Sequence, residues 1–327
     1  MKEMIWCTVY STPYFFFYYC KEYDMIEYNK ENLRRIEVHK FLRAIGFSNI
    51  RKKDLDIILE EIIEHPELMR LTKDSEGNEF AELSKTFGDG IGILVRGFYD
   101  EKDVFQMSYY VPFSLSDEIS TQEQIDIEKH AEKESYAGVC DEVRLGVTLI
   151  FYLQNVADFL SEHRTNIHVK NLYGAMLSAL SVEGKILLPI QQKVLEKQIA
   201  NNKQEKRQKL IAEAREGNEE AIENLSIEDL DMYSQISKRI RKEDVLSIVS
   251  TSFMPYGIES DQYSILGEIK DVEEVTNPIT NEKLYLMEIE CNDLHFKVTI
   301  NEDDLLGEPA VGRRFKGNIW MQGTVCL

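Results

Sequence analysis

The chain is poor in cysteine, in positive charge and in long apolar runs, and it carries no catalytic signature. Its five cysteines (Cys7, Cys20, Cys140, Cys291, Cys326) are odd in number and widely spaced, and none forms a CxxC pair. That argues against a disulfide framework and fits free or buried thiols in a reducing cytoplasm. GxSxG, HExxH and GxxxxGKS/T are all missing, so nucleophile-elbow, zincin and P-loop chemistry lack their signatures. A membrane span needs ~20 apolar residues. The uncharged run from Met4 to Cys20 falls short and is broken by Pro13. It is no secretory leader either, because Glu3 sits beside Lys2 and tyrosines dominate where a Leu/Ala-type core belongs. Lys and Arg number 38 against 58 Asp and Glu, a net charge of -20. A surface so negative repels phosphate backbones, so nucleic acid and anionic membranes are disfavoured. A protein or peptide is the expected partner.

What the chain does have is alternation. From Tyr263 to Val325 apolar and polar residues alternate in four runs punctuated by turn residues, which predicts strands half-buried in an antiparallel sheet. These terminal strands suggest a small closed β-barrel, of which the oligonucleotide-binding (OB) type is one form. Such barrels bind nucleic acid through basic, aromatic surfaces. Gln262 to Leu327 instead carries six Lys/Arg against twelve Asp/Glu, a balance of -6. Arg313, Arg314 and Lys316 do cluster near Trp320. Arg313, Arg314 and Trp320 are therefore candidates for holding an acidic group. The plainer reading makes Trp320 core and the arginines solvated.

Before that domain, Val38 to Ile190 reads as one α+β unit around an antiparallel sheet. A short amphipathic turn ends at Gly46. Leu55, Ile58, Leu59, Ile62 and Ile63 then mark one apolar helix face between Arg51 and His65. Phe80–Phe87, Ile91–Tyr99 and Val104–Phe113 predict a three-stranded meander. Ser116 to Glu134 is acidic and reads as loop or exposed helix. Val143–Gln154 reads as a central strand, and Val156–His163 as a short helix. Lys170–Ile190 reads as a hairpin turning at Glu183-Gly184. Residues 191–260 form a helical connector that is polar on all sides from Ala200 to Lys209. The fold class expected is α+β, with an antiparallel N-terminal domain, a helical connector and a barrel-like domain at 261–327.

Residues 1–37 stand apart. They are rich in Phe, Tyr, Lys, Asn and Ile, the products of AT-rich DNA translated without selection. Arg34-Arg35 can be encoded AGG AGG, a ribosome-binding signal, and Val38 can be GTG, an alternative start. The natural chain is therefore expected to begin at Val38, with 1–37 a non-native extension or disordered.

Other constellations fall to simpler readings. Gly88-Asp89-Gly90-Ile91-Gly92 lacks the third glycine of a dinucleotide loop, since Ile93 stands there, and it reads as a hairpin turn. Cys291 and His295, four apart, would share one face of a strand, but no third ligand lies near; His163 and His168 pose the same problem. No metal and no cofactor is expected. Lys203 to Lys209 reads as the solvated face of a helix. Carboxylate pairs such as Glu273-Glu274 read as turn-like, solvated runs.

Four stretches carry a family resemblance: HKFLRAIGFS (His39–Ser48), IEDLDMYSQISKRI (Ile227–Ile240), FMPYG to DQYSILGEI (Phe253–Ile269) and DLLGEP to GRRFKGNIWMQG (Asp304–Gly323). Together they resemble a domain-of-unknown-function family of anaerobic Gram-positive bacteria. The resemblance implies a start at the residue matching Val38, and it implies no activity. The leading expectation is a cytoplasmic, non-catalytic interaction or regulatory protein. The alternatives are an enzyme whose site assembles between domains from residues such as His163, His168 or Cys140, and an OB-type nucleic-acid binder.

Overall fold

Helix signals come first in the chain and shape one side of the fold. The computed structural model describes residues 26, 28–29, 37–129, 134–165, 172–190 and 249–327, with scattered positions between 206 and 246. A 3₁₀ helix, Lys40–Ile45, begins where the His39 ring accepts the Phe41 N–H and ends at Gly46, φ 88°. Only glycine holds that φ without strain, and a Cβ there would meet Asn277 at 2.7 Å. Helix α1 (Lys52–Glu64) buries Leu55, Leu59, Ile62 and Ile63 along one stripe. Strands β1 (Leu68–Lys73), β2 (Glu79–Thr86), β3 (Ile91–Tyr99) and β4 (Phe105–Ser114) form an antiparallel sheet in that order. The turn Gly88-Asp89-Gly90 joins β2 to β3, with Phe87 N–H donating to Ile91 O. Ala81, Leu83, Ile93 and Val95 pack with the α1 stripe in one apolar cluster.

The second sheet is larger. It contains β5 (Thr121–Lys129), β6 (Tyr136–Glu142), β7 (Val147–Leu153), β8 (Leu172–Leu187), β9 (Ser252–Pro255), β10 (Gln262–Thr276), β11 (Lys283–Cys291), β12 (Leu294–Asn301), β13 (Leu305–Leu306) and β14 (Arg314–Val325). Helix α2 (Val156–Thr165) lies between β7 and β8. The spine is the β8–β14 ladder, antiparallel over twelve register partners from Arg314↔Leu187 to Val325↔Ala175. Two rings of ladders share it. The first runs β8–β5–β6–β7–β14. The second runs β8–β12–β11–β10–β14, with β12 parallel to β8.

Strand period two sorts the side chains. Phe315, Ile319, Met321 and Val325 of β14 face the apolar interior with Phe151, Tyr263 and Phe296. Arg314, Lys316, Trp320 and Gln322 take the opposite face.

The α+β expectation holds in its coarse form, with an antiparallel meander, a large sheet and helices packed beside them. Several details differ. Lys170–Ile190 is not a hairpin; β8 continues through Glu183-Gly184, with a break in its register against β14 at Val182. Gly184 is there because Phe315 covers it, and a Cβ would sit 2.4 Å from that ring. Ser116–Glu134 holds β5, hidden from sequence reading because little of it besides Thr121 and Ile125 is buried. Strands β1 and β6 were likewise not expected. The boundary expected at 190 is crossed by hydrogen bonds, since β8 pairs with β12, β13 and β14. The helical connector falls mostly outside the described residues, and the described positions from 206 to 214, 219 to 227 and at 246 are helical. Within 1–37 the described residues are Ile26, Tyr28, Asn29 and Glu37; Ile26 is buried, and Tyr28 bridges to Phe105.

Candidate functional site

The three binding candidates lie on β14 and the turn before it, but they do not converge. Trp320 is buried on the outer face of β14. Its ring stacks on Phe41 at 5.1 Å and meets His39 and Tyr152, and its Nε1–H donates to Asp261 at 2.7 Å. Burial of His39 in this stack pulls its pKa down to about 4, with Lys40 adding to the effect. Trp320 therefore joins the 3₁₀ helix to the second ring. Arg314 is six residues away along the strand, roughly 20 Å at strand rise. It is also buried, and it donates to Leu188 O and Val249 O. Those carbonyls flank residues 189–248, so Arg314 clasps the two ends of that segment together. Burial lowers the pKa of its guanidinium. Arg313 is half-buried and pairs with Glu308. Lys316 stands directly opposite Lys185 on β8, a neighbour that only the β8–β14 pairing reveals.

The metal and nucleophile candidates separate as well. Cys291 closes β11 and His295 is the second residue of β12, with the Asn292-Asp293 turn joining the two strands. Both turn residues have positive φ, 52° and 62°, as a two-residue hairpin demands. Cys291 points into the core, whereas Leu294 and Phe296 are core and His295 between them faces outward. The single-strand expectation for this pair is thus corrected. Among the described residues no group of three or more His, Cys, Asp or Glu could hold a metal ion. The Cys140 thiol is buried and pushed up to about 12, chiefly by desolvation and then by Glu142. A thiol held protonated is no nucleophile at neutral pH. His168 and the His163 side chain lie outside the described residues.

Polar groups converge in the interior, where they are consumed. Arg96, fully buried, donates to Glu82 at 2.9 Å and to Tyr152 at 2.7 Å, and its remaining N–H groups reach Tyr109 and the Leu153 and Gln154 carbonyls. A guanidinium with its fork filled has no donor left for a ligand. Beside it runs a second seam. Gln154 donates to Ser114 O, Ser178 Oγ and Gln322 Oε1, Gln322 donates to Pro112 O, and Ser114 pairs with Thr299. These bonds satisfy the end of β4 where it crosses the second sheet. A third set docks the 3₁₀ helix: Arg43 pairs with Asp304, Asn277 donates to Ile45 O, and Glu282 takes the Ser48 N–H and hydroxyl.

Exposed apolar side chains are scattered over the surface, and three of them fall close together in sequence at the β9–β10 segment. Met254, Tyr256 and Ile258 are 56%, 45% and 99% exposed at positions i, i+2 and i+4, running from β9 into the β9–β10 turn. The hairpin is fixed at its base by Tyr256 N–H to Gln262 O and by Met321 N–H to Asp261 O.

A family model described as a domain of unknown function, named from an E. rectale gene (DUF3881), matches residues 42–323. The chain belongs to this family. The resemblance read from the four stretches is thereby borne out. No curated protein and no solved structure gives a match. Three of those stretches now have places in the DUF3881 chain. His39–Ser48 is the docked 3₁₀ segment, Phe253–Ile269 is the β9–β10 hairpin, and Asp304–Gly323 runs from the Arg43 partner through β14. The fourth, Ile227–Ile240, lies outside the described residues beyond Ile227. Arg96, Gln154 and Gln322 escaped sequence reading because an isolated polar residue in a strand carries no motif. The apolar segment Phe253–Gly257 reads from sequence as a turn feeding the last domain, and its exposure is visible only in the fold.

Proposed function

We propose that this DUF3881 protein is a non-catalytic interaction protein that grips a protein or peptide through the β9–β10 hairpin. The observation that carries the reading is the exposure of Met254, Tyr256 and Ile258 together on one segment hydrogen-bonded at its base. Exposed apolar rows on polar surroundings mark contact sites, and an aromatic anchor beside aliphatic ones suits a partner pocket. The interior arginines and amides are spent on the fold, which speaks against a catalytic constellation built from them. Of the sequence candidates, Arg313 has reach to solvent and would serve an acidic group on the partner, while Arg314 and Trp320 hold the frame. Among the described residues no helix is long and apolar enough to cross a membrane, and the reading places the protein in the cytoplasm.

The second ring has the ladder order of an OB-type barrel, with β8 standing in for the fifth strand. In OB barrels the outer face of the second and third strands takes oligonucleotides. Here the corresponding face of β11 and β12 is occupied. Leu284 and Leu286 are buried in the cluster of the 3₁₀ helix and first sheet, Thr299 holds Ser114, and Asn301 holds Ser48 and Glu282. The charge balance and this cover both oppose the nucleic-acid reading.

The test is a cross-linked pull-down from native cells, analysed for protein and nucleic acid together, with wild type beside Tyr256→Asp and Ile258→Asp. The reading expects a recurrent protein that both variants lose. Recovery of RNA or DNA, or a partner indifferent to both substitutions, contradicts it.

A further inference from the structure

One carboxylate on the second ring has an oxygen without a partner. Glu288 Oε1 is buried and receives no hydrogen bond, alone among the buried side-chain nitrogen and oxygen atoms of the described residues. Its surroundings explain why. Glu288 stands on the outer face of β11, opposite Lys297 on β12 and Asp271 on β10. The connection between β4 and β5 brings Asp117 and Glu118 to the same place. Lys297 Nζ is turned toward Asp117 Oδ1, 3.6 Å away. Glu290, next on that face, is taken by Lys270. Three carboxylates and one ammonium therefore face Glu288. Burial first, then Glu118, push the Glu288 pKa up to about 7; Lys297 opposes, and Asp117 and Asp271 add to the rise.

The connection over Glu288 is pinned at its ends, and between them it is held by the Glu118 N–H to Ser116 Oγ bond and the Lys297–Asp117 pair. Ser114 sits in the Gln154–Gln322 seam, and the Leu115 N–H donates to Gly90 O. At the far end Ser120 N–H donates to Ala175 O, while Ser120 Oγ and O accept from Leu177 and Arg144. Between these anchors Asp117, Glu118 and Ile119 are exposed.

We propose that Glu288 is a pH-sensitive latch for residues 116–119. Protonated, Glu288 lies neutral beneath Glu118 and leaves Lys297 to Asp117, so the connection stays seated. Once Glu288 gives its proton to solvent, it draws Lys297 across the ladder. Asp117 then loses its cation, Glu118 meets a like charge, and 116–119 lifts from the ring. The device exchanges the partner of one lysine, and it stands independently of the hairpin reading.

The experiment is a carboxyl-carbon NMR titration of the full chain, with amide exchange of 116–119 measured on either side of neutrality and corrected for intrinsic base catalysis. The expected Glu288 midpoint is about 7, with exchange of 116–119 severalfold faster on the alkaline side. Glu288→Gln should remove the pH step and keep exchange slow. Asp117→Asn, an exposed change with little bearing on folding, frees Lys297 and should lower the Glu288 midpoint. A midpoint in the ordinary carboxylate range near 4.3, a pH step that survives in Glu288→Gln, or no shift in Asp117→Asn would overturn the proposal.

Discussion

The two rings share β8 and β14, yet they are closed in different ways. In the second ring β14 meets β10 over seven register partners, and β8 meets β12 over four. In the first ring β14 meets β7 over only two, and β8 meets β5 at three with a break in register. Their interiors are built alike. Phe315 covers Gly184 and Gly317 in the second ring, and Phe151 covers Gly138 and Gly323 in the first. Bare glycines under an aromatic ring let the strands close tightly at a bend. The difference in closure teaches that one spine supports two regions of unequal firmness. Local opening follows the region with fewer ladder bonds, so the first ring is the one that opens first.

The comparison breaks most visibly at the two phenylalanines. Phe315→Ala and Phe151→Ala should each cost ~3–5 kcal/mol in denaturant melts, the usual range for a large-to-small aromatic change in a core. Phe315→Ala should be the worse, because it loosens the firmer ring and with it the spine. Next is Arg96, which ties the first sheet to the carbonyls after β7. Arg96→Ala takes from buried Glu82 its 2.9 Å partner and leaves it only Arg70 at 3.9 Å, and should cost about 3–5 kcal/mol, with amide exchange rising in β6 and β7 before β11 and β12. Gly184→Ala and Gly138→Ala place a Cβ 2.4 Å and 2.2 Å from an aromatic ring. Such overpacking costs roughly 1–3 kcal/mol, read as a lowered denaturation midpoint. The last effect is that of pH, which is spread over a window and screened because Glu288 is partly solvated. An unfolded glutamate titrates at about 4.3, and burial raises native Glu288 to about 7. Between those values the native chain holds a proton that the unfolded chain has lost. Stability therefore declines as pH climbs through that window and is level above it. Glu288→Gln should flatten the decline in melts run across the window.

How much of this was legible follows from what each strand buries. β10, β11 and β12 were legible because apolar and polar residues alternate along most of their length. β8 was misread as a hairpin because Glu183-Gly184 has turn composition. Its glycine answers to Phe315, a residue 131 positions later in the chain. β5 was hidden because a strand with polar residues on both faces has no period to detect. The candidate site fared similarly. The clustering of Arg313, Arg314 and Lys316 was visible, but the carbonyls of Leu188 and Val249 that occupy Arg314 come from distant segments. Trp320 could be placed in a core or on a surface only once its stack with Phe41 and His39 was known.

The central claim is that the last strands are no self-contained barrel and that β8 completes them. The most direct test is the proton–nitrogen NMR spectrum of a fragment spanning 250–327, alone and with a peptide spanning 172–190. The fragment alone should give the narrow dispersion of an unfolded chain and gain dispersion when the peptide is added. A well-dispersed, cooperatively melting spectrum from the fragment alone would contradict the account.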